Sequence, residues 1–352
     1  MINITSAVLD YGTKPPLAKM KIYGETLVSV AREKKEIVCL CADLTKQTEV
    51  DAFRSELPER FFSMGMAEQN MVGVAAGMAQ GGYIPFVNSF SVFLTRRPYD
   101  QVAMSIAYPK LNVKLVGMMP GLSSPGGASH QAIDDLAIMR STPNMVVIDI
   151  GEASEAAMAV QMVAEHEGPV YLRLKRGELP LLFDSTKYKL KIGESYLLKE
   201  GSGAGIITSG LMTEKALKAH QLLSERGLNV SILHVPSIKP IDSDGIRFFA
   251  KQHKFIFTLD NHNVIGGLGS AVMEALSEKG IATPVVRFGV KDIYGQAASP
   301  SFLYRKHGME PDQIAEAIHY HLTGQQEDMS YANSPNSNKQ TVGENKGWGG
   351  SF

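Results

Sequence analysis

Apolar runs of strand length alternate with helical patterns along most of this 352-residue chain, and that alternation restricts the fold more than any other feature. "EIVCLCADL", "IPFVNSF", "NVKLVGM", "MVVIDI" and "VYLRL" are short, near-continuous apolar runs. Between them lie longer stretches with helical spacing: "NMVGVAAGMA", the segment around "DQVAMSIAY", "AIDDLAIMR" and "EASEAAMAVQMVAEH". A strand that is apolar throughout, rather than at every second residue, is expected where both faces of a sheet are covered. Strand-helix alternation of this kind predicts a parallel α/β sheet.

The pattern breaks around residues 177–202, where Pro, Gly and alternating charge read as a linker with edge strands. A second α/β set follows in "AGIITSG", "KALKAHQLLSERG", "NVSILHV", "FIFTLDN", "SAVMEALSEKG" and "PVVRFGV", closed by the amphipathic "PDQIAEAIHYHL". Two domains are therefore expected, over residues 1–185 and 195–324. Past Gly324 the chain turns to Gln, Asn, Ser, Gly and Lys, which cannot bury enough apolar area to order themselves. Residues 325–352 are expected to form a disordered tail that holds the only tryptophan, Trp348.

Composition excludes several classes of partner. The formal net charge of -1 offers no field to attract nucleic acid or an anionic membrane. No apolar run is long enough to span a bilayer, and "MINITSAVLDYGTKPP" lacks the basic and apolar parts of a signal peptide. Cys39 and Cys41 lie two apart on one strand, so they share a face and are too close in sequence to bridge sensibly. Buried reduced thiols in a cytoplasmic protein are the expectation.

Four places carry candidate chemistry. Glu68 opens a helix made almost wholly of Gly, Ala, Met and Val, although an unpaired carboxylate in a dry setting costs several kcal/mol. It either points to water or serves a purpose in a dry cleft. Gly73, Ala76 and Gly77 follow it at helical spacing, small enough for a second backbone to approach, as in a helix pair across a two-fold axis. Phe86, Phe90 and Phe93 cluster near a strand-helix junction; they are either core or, for Phe90 and Phe93, a slot for a flat heteroaromatic ring. The long loop "GMMPGLSSPGGASHQ" ends in His130 at the carboxyl edge of the expected sheet, where open α/β sheets bind ligands. At the end of "YLRLKRG", Arg173 and Arg176 offer a grip for an anionic group. Strand alternation aims them at opposite faces, so only one is expected to reach a cleft unless the strand ends between them.

The segments "GMAEQNMVGVAAGMAQGGYIPFVNSF", "RRPYDQVAMSIAYPKLNVKLVG", "ASHQAIDDLAIMRSTPNMVV" and "GGLGSAVMEAL", in that order, closely resemble the C-terminal half of transketolases. More specifically, they resemble the small subunit of transketolases split into two polypeptides, over roughly residues 18–322. The resemblance implies a pyrimidine-binding parallel-sheet domain of thiamine-diphosphate enzymes, followed by a transketolase C-terminal α/β domain. It implies thiamine diphosphate as cofactor, with Mg2+ or Ca2+ held mainly by a large subunit, and an α2β2 assembly. Glu68 matches the glutamate that bonds a nitrogen of the cofactor's aminopyrimidine and promotes loss of the thiazolium proton. Phe90 and Phe93 match the aromatic surroundings of that ring. His130 matches a substrate-contacting histidine that assists proton transfer, and Arg176, with Arg173 beside it, matches the arginine that binds the sugar's terminal phosphate. The implied reaction moves a two-carbon ketol unit from a ketose to an aldose.

The chain departs from the family pattern in ways that bear on function. It lacks the Gly-Asp-Gly segment with a downstream Asn that ligates the metal and diphosphate, so activity is expected only with a large subunit. The loop "SSPGGASH" is shorter than usual, and Met118 or Met119 stands where a phosphate-contacting histidine is expected. Lys46 and Gln47 replace small hydroxyl residues. An altered anion pocket follows, suited to an unusual sugar phosphate, a sulfonate or an unphosphorylated sugar. Two rival readings are the β subunit of a 2-oxo-acid dehydrogenase decarboxylase, and a non-catalytic partner that binds the cofactor or a large subunit.

Overall fold

The computed structural model describes residues 1–10, 17–18 and 21–324; the tail and Trp348 lie outside the described residues. Two sheets carry the chain. The first has seven strands in the order Ser237–Lys239, Val146–Asp149, Val170–Leu174, Lys114–Met118, Ile84–Phe90, Ile37–Cys41 and Phe61–Ser63. All pairings in it are parallel except that of the outermost strand, Ser237–Lys239, with Val146–Asp149. The second has six, in the order Ile2–Asn3, Tyr196–Lys199, Ser231–His234, Ala204–Thr208, Phe255–Asn263 and Val285–Val290.

Both sheets are sandwiched by helices, as continuous apolar strands require. Along Ile37–Cys41, Ile37, Cys39 and Cys41 enter one apolar cluster while Val38 and Leu40 enter the other. The first cluster is closed by helices Ile22–Glu33 and Ala153–Glu165, the second by Glu68–Gln80. Each cluster continues into the second sheet, through Ile206 and Ile232 on one side and Ile207 and Leu233 on the other. The cysteines are free, share one face and are fully buried, and burial raises both thiols.

The two units exchange chain. Ile2–Asn3 pairs with Tyr196–Leu197 in the second sheet, so the first residues of the expected 1–185 unit belong to the other sheet. In return Ser237–Lys239 joins the edge of the first. Neither segment is long enough to show a period in the sequence, and each is placed by its ladder alone. The expected helix over 100–108 is π-helical at Gln101–Ala107. In the helix Glu68–Gln80, Gly73 and Gly77 face outward with open space around them, whereas Ala76 is buried, so the three small residues do not share one face.

Candidate active site

Parallel strands deliver their following loops to one edge, and the candidate residues follow strands at that edge. Contacts join Glu68, Phe90, Phe93 and His130 through Arg97 and the Phe93 ring, and none of these contacts reaches Arg176. Ile84–Phe90 leads directly into the short helix Ser91–Arg96, which carries Phe93. Phe61–Ser63 leads into Glu68 at the first position of its helix. Lys114–Met118 leads into the glycine-rich loop that ends in the 3-10 turn Ala128–His130. Arg176 follows Val170–Leu174, two strands across from Ile84–Phe90.

Glu68 does not point to water. It is 3% exposed, and Arg97 Nη1 donates to both carboxylate oxygens at 2.9 Å. Ser89 Oγ lies 3.5 Å from Oε1. Arg97 comes in from the surface, its side chain 47% exposed, and its Cζ sits 4.0 Å above the centre of the Phe93 ring. Sequence reasoning passed over Arg97 entirely; the only signal was a doubled arginine after the phenylalanines. Phe90 and Phe93 are stacked at 5.9 Å between ring centres, with planes 25° apart. A third ring between them would need roughly 7 Å, two stacking distances of about 3.5 Å. The space between the two rings is therefore filled by the pair's own contact, and the Phe93 ring has Arg97 over its face. His130 meets Phe93 edge-on at 5.2 Å, and Ser129 Oγ engages its Nδ1 at 2.9 Å.

The second domain holds the His130 loop in place. Asn261 Oδ1 accepts from the Leu122 amide at 2.9 Å, and its Nδ2 donates to the Pro120 carbonyl at 3.1 Å. Gly121 has φ +53, and a Cβ there would lie 2.1 Å from the Asn261 carbonyl oxygen, so the close approach requires glycine. Gln131 Nε2 ties Ser124 O to Gln296 O, at 3.0 and 3.1 Å. Arg96 grips both oxygens of Asp134 at the loop's end. Of the two methionines standing where a histidine is expected, Met118 is buried and Met119 is half-buried in left-handed backbone, φ +60.

Arg173 corrects an expectation. It is 1% exposed and bonds Asp135, Asp149 and the carbonyl of Asn261, so no donor is left for a substrate. Burial works against its charge, but the surrounding carboxylates outweigh it and raise its pKa. Burial also pushes the Asp149 carboxyl up to about 6 despite Arg173. Arg176, in contrast, is half-buried and pairs with no described carboxylate. Lys46 is exposed and Gln47 half-buried in the loop after Ile37–Cys41. Among the described residues no group of three His, Cys, Asp or Glu is placed to hold a metal ion.

Residues 16–180 match the family model "Transketolase, pyrimidine binding domain", and residues 193–314 match "Transketolase, C-terminal domain". The chain belongs to the transketolase family. It is 38% identical to a "Putative transketolase C-terminal section" of Methanocaldococcus jannaschii, over 85% of this chain and 94% of that one. It is 37% identical to the "6-deoxy-6-sulfo-D-fructose transketolase subunit SqwH" of Clostridium sp. (strain MSTE9), over 84% and 92% respectively. A solved structure, "Split gene transketolase, inactive beta4 tetramer", superposes with TM-score 0.79 at 42% identity, covering 86% of this chain and 97% of that one. This transketolase-family chain thus spans nearly the whole length of relatives that are themselves one part of a divided enzyme. Among the described residues no helix is long and apolar enough to cross a membrane.

The site residues fit an aminopyrimidine. The Phe93 face has room for a planar group, because the flat Arg97 guanidinium already lies there at 4.0 Å. Glu68 accepts from that group at normal hydrogen-bond length.

Proposed function

We propose that this chain is the small subunit of a thiamine-diphosphate-dependent transketolase, transferring a two-carbon ketol unit from an anion-bearing ketose to an aldose. One observation carries the reading: a carboxylate only 3% exposed and the face of the Phe93 ring hold the same flat group, the Arg97 guanidinium, at 2.9 and 4.0 Å. A carboxyl group that can share a proton with a ring nitrogen, beside a stacking surface, is what an aminopyrimidine needs.

When bound, the cofactor supplies the electron sink for breaking a carbon-carbon bond. This chain supplies orientation and proton handling. Glu68 holds a proton against a ring nitrogen, in a setting from which water is largely excluded. Phe93 fixes the plane of the ring. With Nδ1 engaged by Ser129, His130 keeps Nε2 for a hydroxyl or carbonyl oxygen of the sugar. Arg176 takes the sugar's terminal anion at the same sheet edge. Met119 supplies no second donor there. That supports a sulfonate or an unusual phosphate over an ordinary sugar phosphate, and so does a relative named for a sulfonated ketose.

The missing Gly-Asp-Gly segment assigns the divalent ion, Mg2+ or Ca2+, and the diphosphate to a large subunit. Self-association through the outward-facing Gly73 and Gly77 would give an α2β2 enzyme in the cytoplasm. The test is reconstitution. The purified chain alone should show no ketol transfer, and adding a large subunit with magnesium and thiamine diphosphate should restore it. Robust transfer by this polypeptide alone, or turnover of a 2-oxo acid in place of a ketose, would overturn the reading.

A further inference from the structure

We propose that Arg97 is a built-in placeholder for the cofactor's aminopyrimidine, occupying its stacking face and its carboxyl partner in the lone chain and swinging out to admit it. The inference rests on the function proposed above and adds a step that precedes cofactor binding.

The geometry leaves no room for joint occupancy. The Arg97 Cζ stands 4.0 Å from the Phe93 centroid, about the separation a stacked ring would take. Its Nη1 donates to both Glu68 oxygens at 2.9 Å, so the carboxyl group that would meet the ring nitrogen is in use. A guanidinium is flat and aims N–H at the acid from the ring face, so it fills the place of a flat heteroaromatic ring bonded to Glu68, although it carries a full charge that an aminopyrimidine lacks.

The energetics favour an exchange over a simple departure. Glu68 is buried and needs a partner, because a dry, unpaired carboxylate is costly. Arg97 reaches in from solvent with 47% of its side chain exposed, so its guanidinium regains water when it leaves. Its carbonyl accepts from Gln69 Nε2 at 3.1 Å, a bond that does not involve the guanidinium. Only the side chain has to move. Arg97 is therefore released when another partner reaches Glu68, and the lone chain keeps its acid satisfied until then. The cofactor binds only the fraction of molecules in which Arg97 is out, which lowers its apparent affinity by that fraction.

The experiment is a calorimetric titration of thiamine diphosphate with magnesium into the two-subunit complex, for wild type, Arg97→Ala and Arg97→Lys. Arg97→Ala should tighten binding about ten-fold or more. Arg97→Lys keeps the charge but not the flat fork and should tighten it by less, about two- to five-fold. The isolated Arg97→Ala chain should also melt earlier than wild type, with Glu68 left unpaired. Arg97→Lys keeps the test alive should Arg97→Ala fold poorly. Unchanged or weaker cofactor binding in the variants, with wild type binding normally, overturns the placeholder alone. A wild-type complex that binds no thiamine diphosphate overturns the functional reading and this inference with it.

Discussion

Arg173 donates to both oxygens of Asp135, from Nε at 2.8 Å and from Nη2 at 3.0 Å. Asp135 starts the helix after the His130 loop, and the same guanidinium reaches the Asn261 carbonyl of the second domain at 2.8 Å. Tyr171 adds a further bond to Asp135 at 2.7 Å. One buried cation thus joins the central sheet, the end of the His130 loop and the domain that clamps it.

Arg173→Ala should therefore act on the fold. Removing it strands Asp135 and Asp149 without their counter-charge, and breaking a buried pair in this way costs about 3–5 kcal/mol. Chemical denaturation of the purified variant is the measurement. A loss of less than about 1 kcal/mol would show that the carboxylates find other partners, and the role given to Arg173 would fail.

Glu68→Gln preserves shape but loses the acid. In the assembled complex it should still bind cofactor, while hydrogen-deuterium exchange at the thiazolium carbon slows about a hundred-fold or more. An unchanged exchange rate would remove Glu68 from the activation step.

The sequence made some of this legible and hid the rest for identifiable reasons. Continuous apolar strands announced the covered parallel sheet, because burial on both faces leaves its mark on every residue. Glu68 stood out because an acid heading an apolar helix needs an explanation. Its partner did not, since Arg97 lies 29 residues away and only tertiary folding joins them. Arg173 was misread as a grip, although its place between Leu172 and Leu174 inside an apolar strand was a sign of burial. The helix Ile22–Glu33 gave no start signal, for Lys21 precedes it in left-handed backbone without a side-chain cap.

Lys114 sets a pH dependence. Its ammonium is buried and donates to the carbonyls of His166 and Gly168 at 2.6 and 2.8 Å, and burial lowers its pKa from 10.5 to about 7. Between those values the unfolded chain binds the proton and the folded chain has released it. Stability should therefore rise with pH through that window, with a slope approaching about 1.4 kcal/mol per pH unit. Below about 7 both states carry the proton, and the contribution is constant. Lys114→Met should remove that slope and add a constant loss of about 1–3 kcal/mol for the two abandoned carbonyls. Denaturation of both proteins from pH 6 to 10 (roughly the window set by linkage) separates the two effects. Parallel curves would show that Lys114 does not titrate there.

The far end of the substrate is the place where Arg176 should matter and Arg173 should not. Arg176 lies two residues beyond the strand Val170–Leu174, half-buried and free of any described carboxylate, so its fork is available to an oxyanion. Losing one bidentate, charge-assisted contact costs about 1.5–3 kcal/mol, roughly ten- to a hundred-fold in affinity. In the reconstituted enzyme Arg176→Ala should raise KM by that factor for an anionic ketose. It should leave KM for an uncharged ketose unchanged, and thiazolium exchange should continue at the wild-type rate. The half-buried Met119, with no donor to add, extends the expectation to substrate choice. Among ketoses ending in sulfonate, phosphate or a plain hydroxyl, ordinary pentose and hexose phosphates should not be preferred. Silence of Arg176→Ala toward every anionic donor would make the arginine structural. A wide preference for xylulose 5-phosphate would show instead that the changed loop has no influence on specificity.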